Sequence, residues 1–355
     1  MVRSWRLFKE LSRSLSTAEG LAIDDTLPQS VANHQSPPIL HLYTFVPSVI
    51  VGKYQDIEAA LKLDRCRARG VEFNRRSTGG GTVIMGPRIL ALGLGIDVDY
   101  PGLKKGVGGV FESLSRVLAN AVGSFDVPAY FKPKNDLEVG GRKVAGLSAA
   151  ADAGKSLLFH TSLLVDFDVE LMIDIMNTPL IKLQDKGYNC FSQRMTTLAQ
   201  ESGSDLSMAE VMRAVEKAFE EEFGITFRQD EPDGWEKETI DRFIEERYTQ
   251  DEWIFSHRHP RVRMGVGQMK TPGGLLEVYL SLSGAAIEQV LITGDFFSTS
   301  ADIKRLEDAL KWSSARPEAI QQKLTEVWRD DMIHGIDLPT LTTAILKAKE
   351  NQVRL

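Results

Sequence analysis

Residues 75–83 read Arg75-Arg76-Ser77-Thr78-Gly79-Gly80-Gly81-Thr82-Val83. Three consecutive glycines remove every β-carbon from one short run of backbone. A ligand can then approach the main chain closely, and positive φ is open without steric cost. Two arginines stand just before them, and the guanidinium fork suits planar, bidentate capture of a carboxylate or phosphate. The run lies between two short β-prone stretches, Val71-Glu72-Phe73 and Thr82-Val83-Ile84. Successive N–H groups in such a turn can form an anion-binding nest. Taken alone, the same letters also describe a tight turn with two solvated arginines.

Working outward, a second cluster asks for the same kind of ligand: Lys134-Asn135-Asp136-Leu137-Glu138-Val139-Gly140-Gly141-Arg142-Lys143-Val144-Ala145-Gly146. Leu137 and Val139 alternate, Gly140-Gly141 is a hairpin turn signal, and Lys143 opens the returning strand. A cation at a strand start beside a glycine turn can point into a pocket, with Asn135 and Asp136 facing it. An exposed hairpin with ordinary charges is the alternative.

Together these segments resemble the lipoate–protein ligase family, within the superfamily that also holds biotin–protein ligases and octanoyltransferases. The family pattern is an Arg-Arg-x-x-Gly-Gly-Gly-x-Val loop, then Asn-Asp followed by Gly-(Arg/Lys)-Lys-(Val/Ile)-(Ala/Ser)-Gly, then a His before a strand. This chain supplies the parts in order, ending with Phe159-His160-Thr161-Ser162-Leu163-Leu164-Val165. Weaker matches flank them: Leu21-Ala22-Ile23-Asp24-Asp25, Val51-Gly52-Lys53-Tyr54-Gln55, and Lys186-Gly187 with Arg194 to Leu198. The resemblance covers nearly the whole chain.

The resemblance implies ATP-dependent lipoate–protein ligation. Lipoate is activated to lipoyl-AMP, and the lipoyl group then passes to a lysine of an acceptor protein. Such an enzyme must hold two anions together and stabilise charge on phosphorus. It implies Lys143 as the catalytic cation, although the residue also reads as a solvated hairpin lysine. Arg75, Arg76, Gly79, Gly80, Gly81, Gly146 and His160 would bind the lipoyl group or lipoyl-AMP. One of the two arginines could instead serve an ion pair, and a lone His on a strand also reads as a satisfied core residue. Asn135 and Asp136 would meet the nucleotide, with Asp136 a candidate for Mg²⁺ or for orienting the incoming amine; in a hairpin it can equally cap an Asx turn. ATP and Mg²⁺ are thus expected as co-substrate and activator, without a tightly bound prosthetic group. The implied partners are lipoyl-domain acceptors: glycine-cleavage H protein, an acyltransferase subunit of a 2-oxoacid dehydrogenase, or a lipoate-binding protein of sulfur metabolism. The chain departs from the pattern after the glycines, where many members carry an aromatic residue and His-Asp and this one has Ile84-Met85-Gly86-Pro87. That departure bears on acceptor or acyl-chain preference.

Two rivals share the fold. An octanoyl or lipoyl transferase working between carrier proteins would use a cysteine thioester. The chain has two cysteines, Cys66 and Cys190, and neither lies in the Ala129 to Lys134 stretch where one related branch carries its nucleophile. The other rival is a non-catalytic binder of lipoyl carriers, against which Lys143 and the intact glycine run argue.

Composition sets the outer bounds. The chain has 355 residues, 43% hydrophobic, with a net charge of −7. That size suggests two domains, and the acidic balance gives no footprint for nucleic acid. Two cysteines make no disulfide framework or zinc spacing. No apolar run reaches membrane-spanning length, and no secretory signal is visible at the start; a cytoplasmic location is the default.

Residues 29–38 read as a loop, Leu40 to Val51 as a strand pair, and Ile57 to Arg69 as one helix. Ile89 to Val98 and Leu157 to Val165 read as strands, Gly108 to Val122 as a helix. Ser207 and Glu210 have capping-box spacing before a periodic helix, Met208 to Phe223, with Gly224 as its stop. After a polar, acidic stretch from Asp230 to Asp251, strands are expected at Leu275–Leu282 and Ile287–Gly294, followed by three helices. The polar stretch suggests a limited interface between two units. The expected fold is α+β: a mixed, mostly antiparallel sheet flanked by helices over 1–250, of the class II synthetase and biotin ligase type, plus a small α/β accessory domain over 251–355.

Overall fold

The computed structural model describes residues 3–132, 135–153, 155–177, 194–257 and 264–352. Its strands are β1 (Arg3–Lys9), β2 (Ile39–Tyr43), β3 (Ser48–Val51), β4 (Glu72–Arg75), β5 (Val83–Met85), β6 (Ile89–Asp97), β7 (Tyr130–Lys132), β8 (Asp136–Val139), β9 (Arg142–Ala153), β10 (Ser156–Leu164), β11 (Ile225–Gln229), β12 (Gly265–Thr271), β13 (Gly274–Ser283) and β14 (Ala286–Gly294). An eight-stranded sheet runs β11-β1-β2-β6-β10-β9-β8-β7. Only the β11–β1 and β1–β2 pairs are parallel; the rest are antiparallel. The mixed α+β expectation holds.

Local chemistry explains much of this frame. The β8–β9 hairpin turns on Gly140 (φ +56°) and Gly141 (φ +79°), and a two-residue turn with positive φ at both positions matches strand twist. Ser207 and Glu210 form a full capping box on helix Met208–Phe223, which Gly224 ends at φ +60°. That helix buries Val211, Met212, Val215 and Phe219 in one core with Phe111, Leu114, Val117 and Leu118 of helix Gly106–Gly123. On the other face lies helix Thr17–His34. Two glycines of β6 let it come close. A β-carbon at Gly93 would stand 2.2 Å from Asp24 Oδ1, and one at Gly95 would stand 2.5 Å from the Leu27 backbone. Asp24 is thereby pressed onto the sheet.

Several local expectations change. Helix Thr17–His34 runs on into the stretch read as a loop and stops at Gln35, which is left-handed at φ +53°. Its Pro28 and buried Ser30 are tolerated; Ser30 bonds back to the Thr26 carbonyl. The single helix over 57–69 is two short ones, Ile57–Ala60 and Leu63–Ala68. Leu61 leaves helical geometry between them, buries its side chain beside Ile57 and Val51, and bridges to Met176. β2 and β3 are not partners: β2 joins the large sheet, whereas β3 centres a three-stranded sheet β4-β3-β5.

The C-terminal unit is an antiparallel sheet β12-β13-β14 packed on helices Ser300–Leu310, Pro317–Val327 and Leu338–Glu350. Its seat is not the limited interface that the polar stretch suggested. Tyr54, from the loop after β3, is buried in the core of this unit, stacks on Phe296, and donates to the Ser298 carbonyl at 2.7 Å. In return Phe297 enters the large core, 5.5 Å from Phe111 between ring centroids. The acidic stretch is tied down as well: Asp230 and Glu236 bind the buried guanidinium of Arg6 at 2.7 and 2.6 Å. No helix among the described residues is long and apolar enough to cross a membrane.

Candidate active site

The glycine run and the hairpin do meet, at a narrow pocket of about 80 Å³. Leu21, Tyr43, Phe45, Ile50, Val83 and Met85 give it a largely apolar wall, and Asp24, Arg76, Lys143 and His160 add ionisable groups. Next to it, between the large sheet and the C-terminal unit, opens a cleft of about 760 Å³. Asn135, Asp136, Lys143, Gly81, Thr82 and Arg194 line its near side, and Gln268, Glu277, Asp295 and His334 its far side.

Lys143 stands where the two meet, since it lines both. Its ammonium lies 2.6 Å from Asp136 Oδ1, and both side chains remain about a third exposed. Gly146 makes room for it: a β-carbon there would be 2.9 Å from Lys143 Nζ. Asn135 spends its amide N–H on the Leu147 carbonyl at 2.9 Å, which fixes β8 against β9 beside the pocket. Asp136 supplies one carboxylate, and no group of three His, Cys, Asp or Glu among the described residues could hold a metal. Mg²⁺ is often held by one or two carboxylates with substrate phosphates completing its shell, and Asp136 fits only that kind of site.

The two arginines are placed differently. Arg75 is fully buried and donates to the carbonyls of Gly52, Lys53, Gln55, Trp253 and Ile254 at 2.6–3.2 Å. Its partners are all backbone, and it lines neither the pocket nor the cleft. Arg75 therefore acts as a brace, with five backbone carbonyls accepting from its guanidinium. It ties helix Asp251–Ile254 to the loop after β3. Arg76 reaches the pocket wall but donates to the Gly79 and Gly81 carbonyls at 2.7 and 2.8 Å, so it holds the loop from inside. Burial lowers both guanidinium groups to about 10, which leaves them charged at neutral pH.

The glycines serve packing as well as any ligand. Gly80, at φ +90°, donates its N–H to the Phe296 carbonyl at 3.0 Å. A β-carbon at Gly79 would lie 2.5 Å from that same oxygen. Ser148 Oγ bonds the Gly79 carbonyl at 2.9 Å from the sheet side. The loop is thus clamped between β9 and the C-terminal unit, with Gly81 left to face Asp295 and the cleft.

His160 lies in the pocket wall within a buried polar cluster that sequence reasoning missed. Asp24 accepts from His41 Nδ1 at 2.8 Å and from the Tyr43 hydroxyl at 2.9 Å, and His160 Nδ1 lies 3.3 Å from its Oδ2. Asp25 accepts from Ser77, Tyr248 and Arg247. Two carboxylates inside an apolar helix, with His41 and His160 inside apolar strands, are the signal that could have revealed the cluster, since buried charges need partners. Burial pushes the His160 imidazole below its usual range against the pull of Asp24. Cys66 is buried in another cluster, with Val49, Ile57 and Ile175, and burial raises its thiol. Cys190, Lys186, Gly187 and Lys134 lie outside the described residues.

A cationic junction between a largely apolar pocket and a wide cleft thus sits on the mixed sheet of an α+β core, beside a C-terminal unit. The chain belongs to the lipoyl protein ligase A/B catalytic domain family, whose description matches residues 16–220; the bacterial lipoate protein ligase C-terminus matches residues 267–345. The chain is 26% identical over 278 residues to an octanoyltransferase LipM of Carboxydothermus hydrogenoformans, covering 72% of this chain and 99% of that protein. It is also 26% identical over 249 residues to lipoate-protein ligase A subunit 1 of Thermoplasma acidophilum, covering 67% of this chain and 92% of that protein. Among solved structures, the bipartite lipoate protein ligase of T. acidophilum, described with its E2 lipoyl domain, superposes with a TM-score of 0.64 at 24% identity over 73% of this chain and 99% of that chain. LipL1 of P. falciparum, solved with lipoate, reaches 0.76 at 16% identity over 97% and 99%. The family resemblance read from the sequence is borne out. The energy source is not, and the octanoyltransferase relatives favour the transferase alternative over the ATP-dependent reading.

Proposed function

We propose that the chain transfers a C8 acyl group, lipoyl or octanoyl, to a lysine of a lipoyl-domain protein, with Lys143 holding the reacting acyl carbon's oxygen. The observation that carries this reading is the placement of Lys143 at the junction of the apolar pocket and the cleft. An acyl chain lies in the pocket, its carboxyl end meets the ammonium, and the donor group extends into the cleft. A point-like cation at the site where negative charge develops stabilises the transition state. The description of the T. acidophilum ligase with its E2 lipoyl domain supports an acceptor of that kind.

Two donors stand on different observations. The first is activation by ATP. The cleft beside Lys143 is large and faced by Asn135, Asp136 and the C-terminal unit, and no cysteine lines it among the described residues. A solved relative is a lipoate-protein ligase A bound with ATP. In this reading the acyl carboxylate attacks the α-phosphate, pyrophosphate leaves, and the acceptor amine then displaces AMP. Mg²⁺ would be shared between Asp136 and the phosphates. The LipM relatives favour the second donor, an octanoyl carrier protein. That route needs a thiol to carry the acyl group, and with Cys66 buried elsewhere the burden falls on Cys190.

One assay separates them. Purified protein and apo lipoyl domain are given either free C8 acid with ATP or an octanoyl carrier without it, and intact mass of the acceptor and of the enzyme is read. Acid-dependent pyrophosphate release with acceptor modification establishes the ligase. Modification from the carrier alone, with an octanoyl adduct trapped on Cys190, establishes the transferase. No modification under either donor would overturn the proposal.

A further inference from the structure

The chain is acidic overall, with a net charge of −7, yet residues 62–69 hold Lys62, Arg65, Arg67 and Arg69 against the single carboxylate of Asp64. Helix Leu63–Ala68 buries Cys66 and leaves all four cations exposed. The three guanidinium side chains each keep more than half of their surface in solvent. The ion pairs they make use two carboxylates. Asp174 serves Arg69 at 2.9 Å and Arg65 at 3.8 Å, and Arg67 pairs at 3.0 Å with Asp64, itself fully exposed. Positive charge is in excess here, on a chain whose surplus elsewhere is negative.

An apolar group sits beside these cations. Ile173, on helix Val169–Ile175, is 43% exposed and is one of four large hydrophobic residues so exposed among the described residues. Its carbonyl accepts from Lys62 Nζ at 3.2 Å, and the next residue, Asp174, is the carboxylate that two of the arginines share. An aliphatic centre with an Arg-rich polar rim has the make-up of a protein contact.

The patch borders the cleft. The Lys62 N–H donates to the Ile175 carbonyl and the Asn177 N–H to the Ala60 carbonyl, both at 2.8 Å, so the two segments run side by side. Ala59, Ala60, Met176 and Asn177 line the cleft where these segments end. The far side, from the C-terminal unit, presents Glu277 and Asp295. An acidic body approaching the cleft is therefore repelled at one lip and attracted at the other. The acceptor must come this close, because a lysine side chain reaches only about 6 Å from its Cα, five zigzag bonds of about 1.5 Å. The domain that bears the lysine has to seat on the rim of the cleft.

We propose that Lys62, Arg65, Arg67 and Arg69, with Ile173, form the surface on which the protein acceptor docks through an acidic face beside its target lysine. The inference rests on the acyl-transfer reading above and names the chemistry of its partner. Charges on a rim act on the rate of encounter and on its salt dependence more than on the chemistry that follows.

The test compares an apo lipoyl domain with hydroxylamine, which traps an activated acyl group without docking. The full chain and a variant carrying Arg65→Glu, Arg67→Glu and Arg69→Glu together are assayed with each nucleophile, under ATP plus C8 acid and under octanoyl carrier. The variant is expected to lose about tenfold or more in kcat/KM for the lipoyl domain at low salt, the scale of electrostatic steering. Its hydroxamate formation should stay within about twofold of normal. Added salt should slow acylation of the domain by the unsubstituted chain and leave the variant's rate nearly unchanged. Glutamine at the same three positions, which brings no new charge beside Asp174, should lower the rate on the domain about three- to fivefold and guards against a fold lost to charge reversal. Acylation of the lipoyl domain within about twofold of normal in both folded variants would overturn the proposal. So would an equal loss of hydroxamate formation, which would assign the patch to the donor or to the chemistry. No hydroxamate from the unsubstituted chain under either donor would remove the acyl-transfer reading and this inference with it.

Discussion

The glycine loop over 75–81 and the hairpin over 136–146 flank the same pocket, yet they spend their polar groups differently. In the loop, both guanidinium groups and the Gly80 N–H are consumed by other backbone groups, and Arg75 is fully buried. In the hairpin, the Lys143–Asp136 pair is about a third exposed and borders both the pocket and the cleft. The loop sets shape and the hairpin supplies charge. The conspicuous motif thus spends most of its polar groups on its own packing, and the proposed chemistry rests on Lys143, which the family resemblance implied.

The largest expected effect is on the hairpin. Lys143→Ala should cut acyl transfer by about 10²–10³, with little change in melting temperature, because the pair it breaks is solvated. A steady-state assay and a thermal melt on the same sample check both halves. Arg75→Ala should do the reverse. Leaving five carbonyls without their shared donor is expected to cost on the order of 3–5 kcal/mol of stability, read by denaturant titration. An Arg75→Ala protein that melts normally but binds no ligand would restore the ligand-contact reading of this arginine.

Gly79→Ala comes next. Its new methyl would stand 2.5 Å from the Phe296 carbonyl, so the loop and the C-terminal unit must separate, at about 1–3 kcal/mol. Loss of stability with faster proteolysis between the units is the expected readout. The smallest effect is reserved for Cys66→Ser, which buries a hydroxyl in an apolar cluster at about 1–2 kcal/mol and leaves acyl transfer near normal. A Cys66→Ser enzyme that folds but no longer turns over would break the contrast between pocket and scaffold.

Local rules made part of this legible. Gly140-Gly141 announced its hairpin and Ser207 and Glu210 their helix start, while the family resemblance, not any local rule, grouped the glycine run, Lys143 and His160, which the structure brings to one pocket. Long-range partnerships were not legible. The β11–β1 edge pairs residues more than 200 apart, such as Trp5 with Phe227, and no local pattern records that. Arg75 and Arg76 are neighbours of one type, and only the arrival of Trp253 and Ile254 makes the first a brace. Asp24 reads as a polar position on a helix until Gly93 shows how closely the sheet approaches it. Tyr54 and Phe297 each complete the other unit's core, a reciprocity that a polar connecting stretch conceals.

The most direct test of the central claim is the intact mass of an apo lipoyl domain incubated with the enzyme and with its Lys143→Ala variant, under ATP plus C8 acid and under octanoyl carrier. The account predicts that the unsubstituted chain adds one acyl group to the acceptor with at least one donor. The variant should add none on the same time scale with either, while melting at the same temperature. Acceptor modification by Lys143→Ala at a near-normal rate would contradict the account.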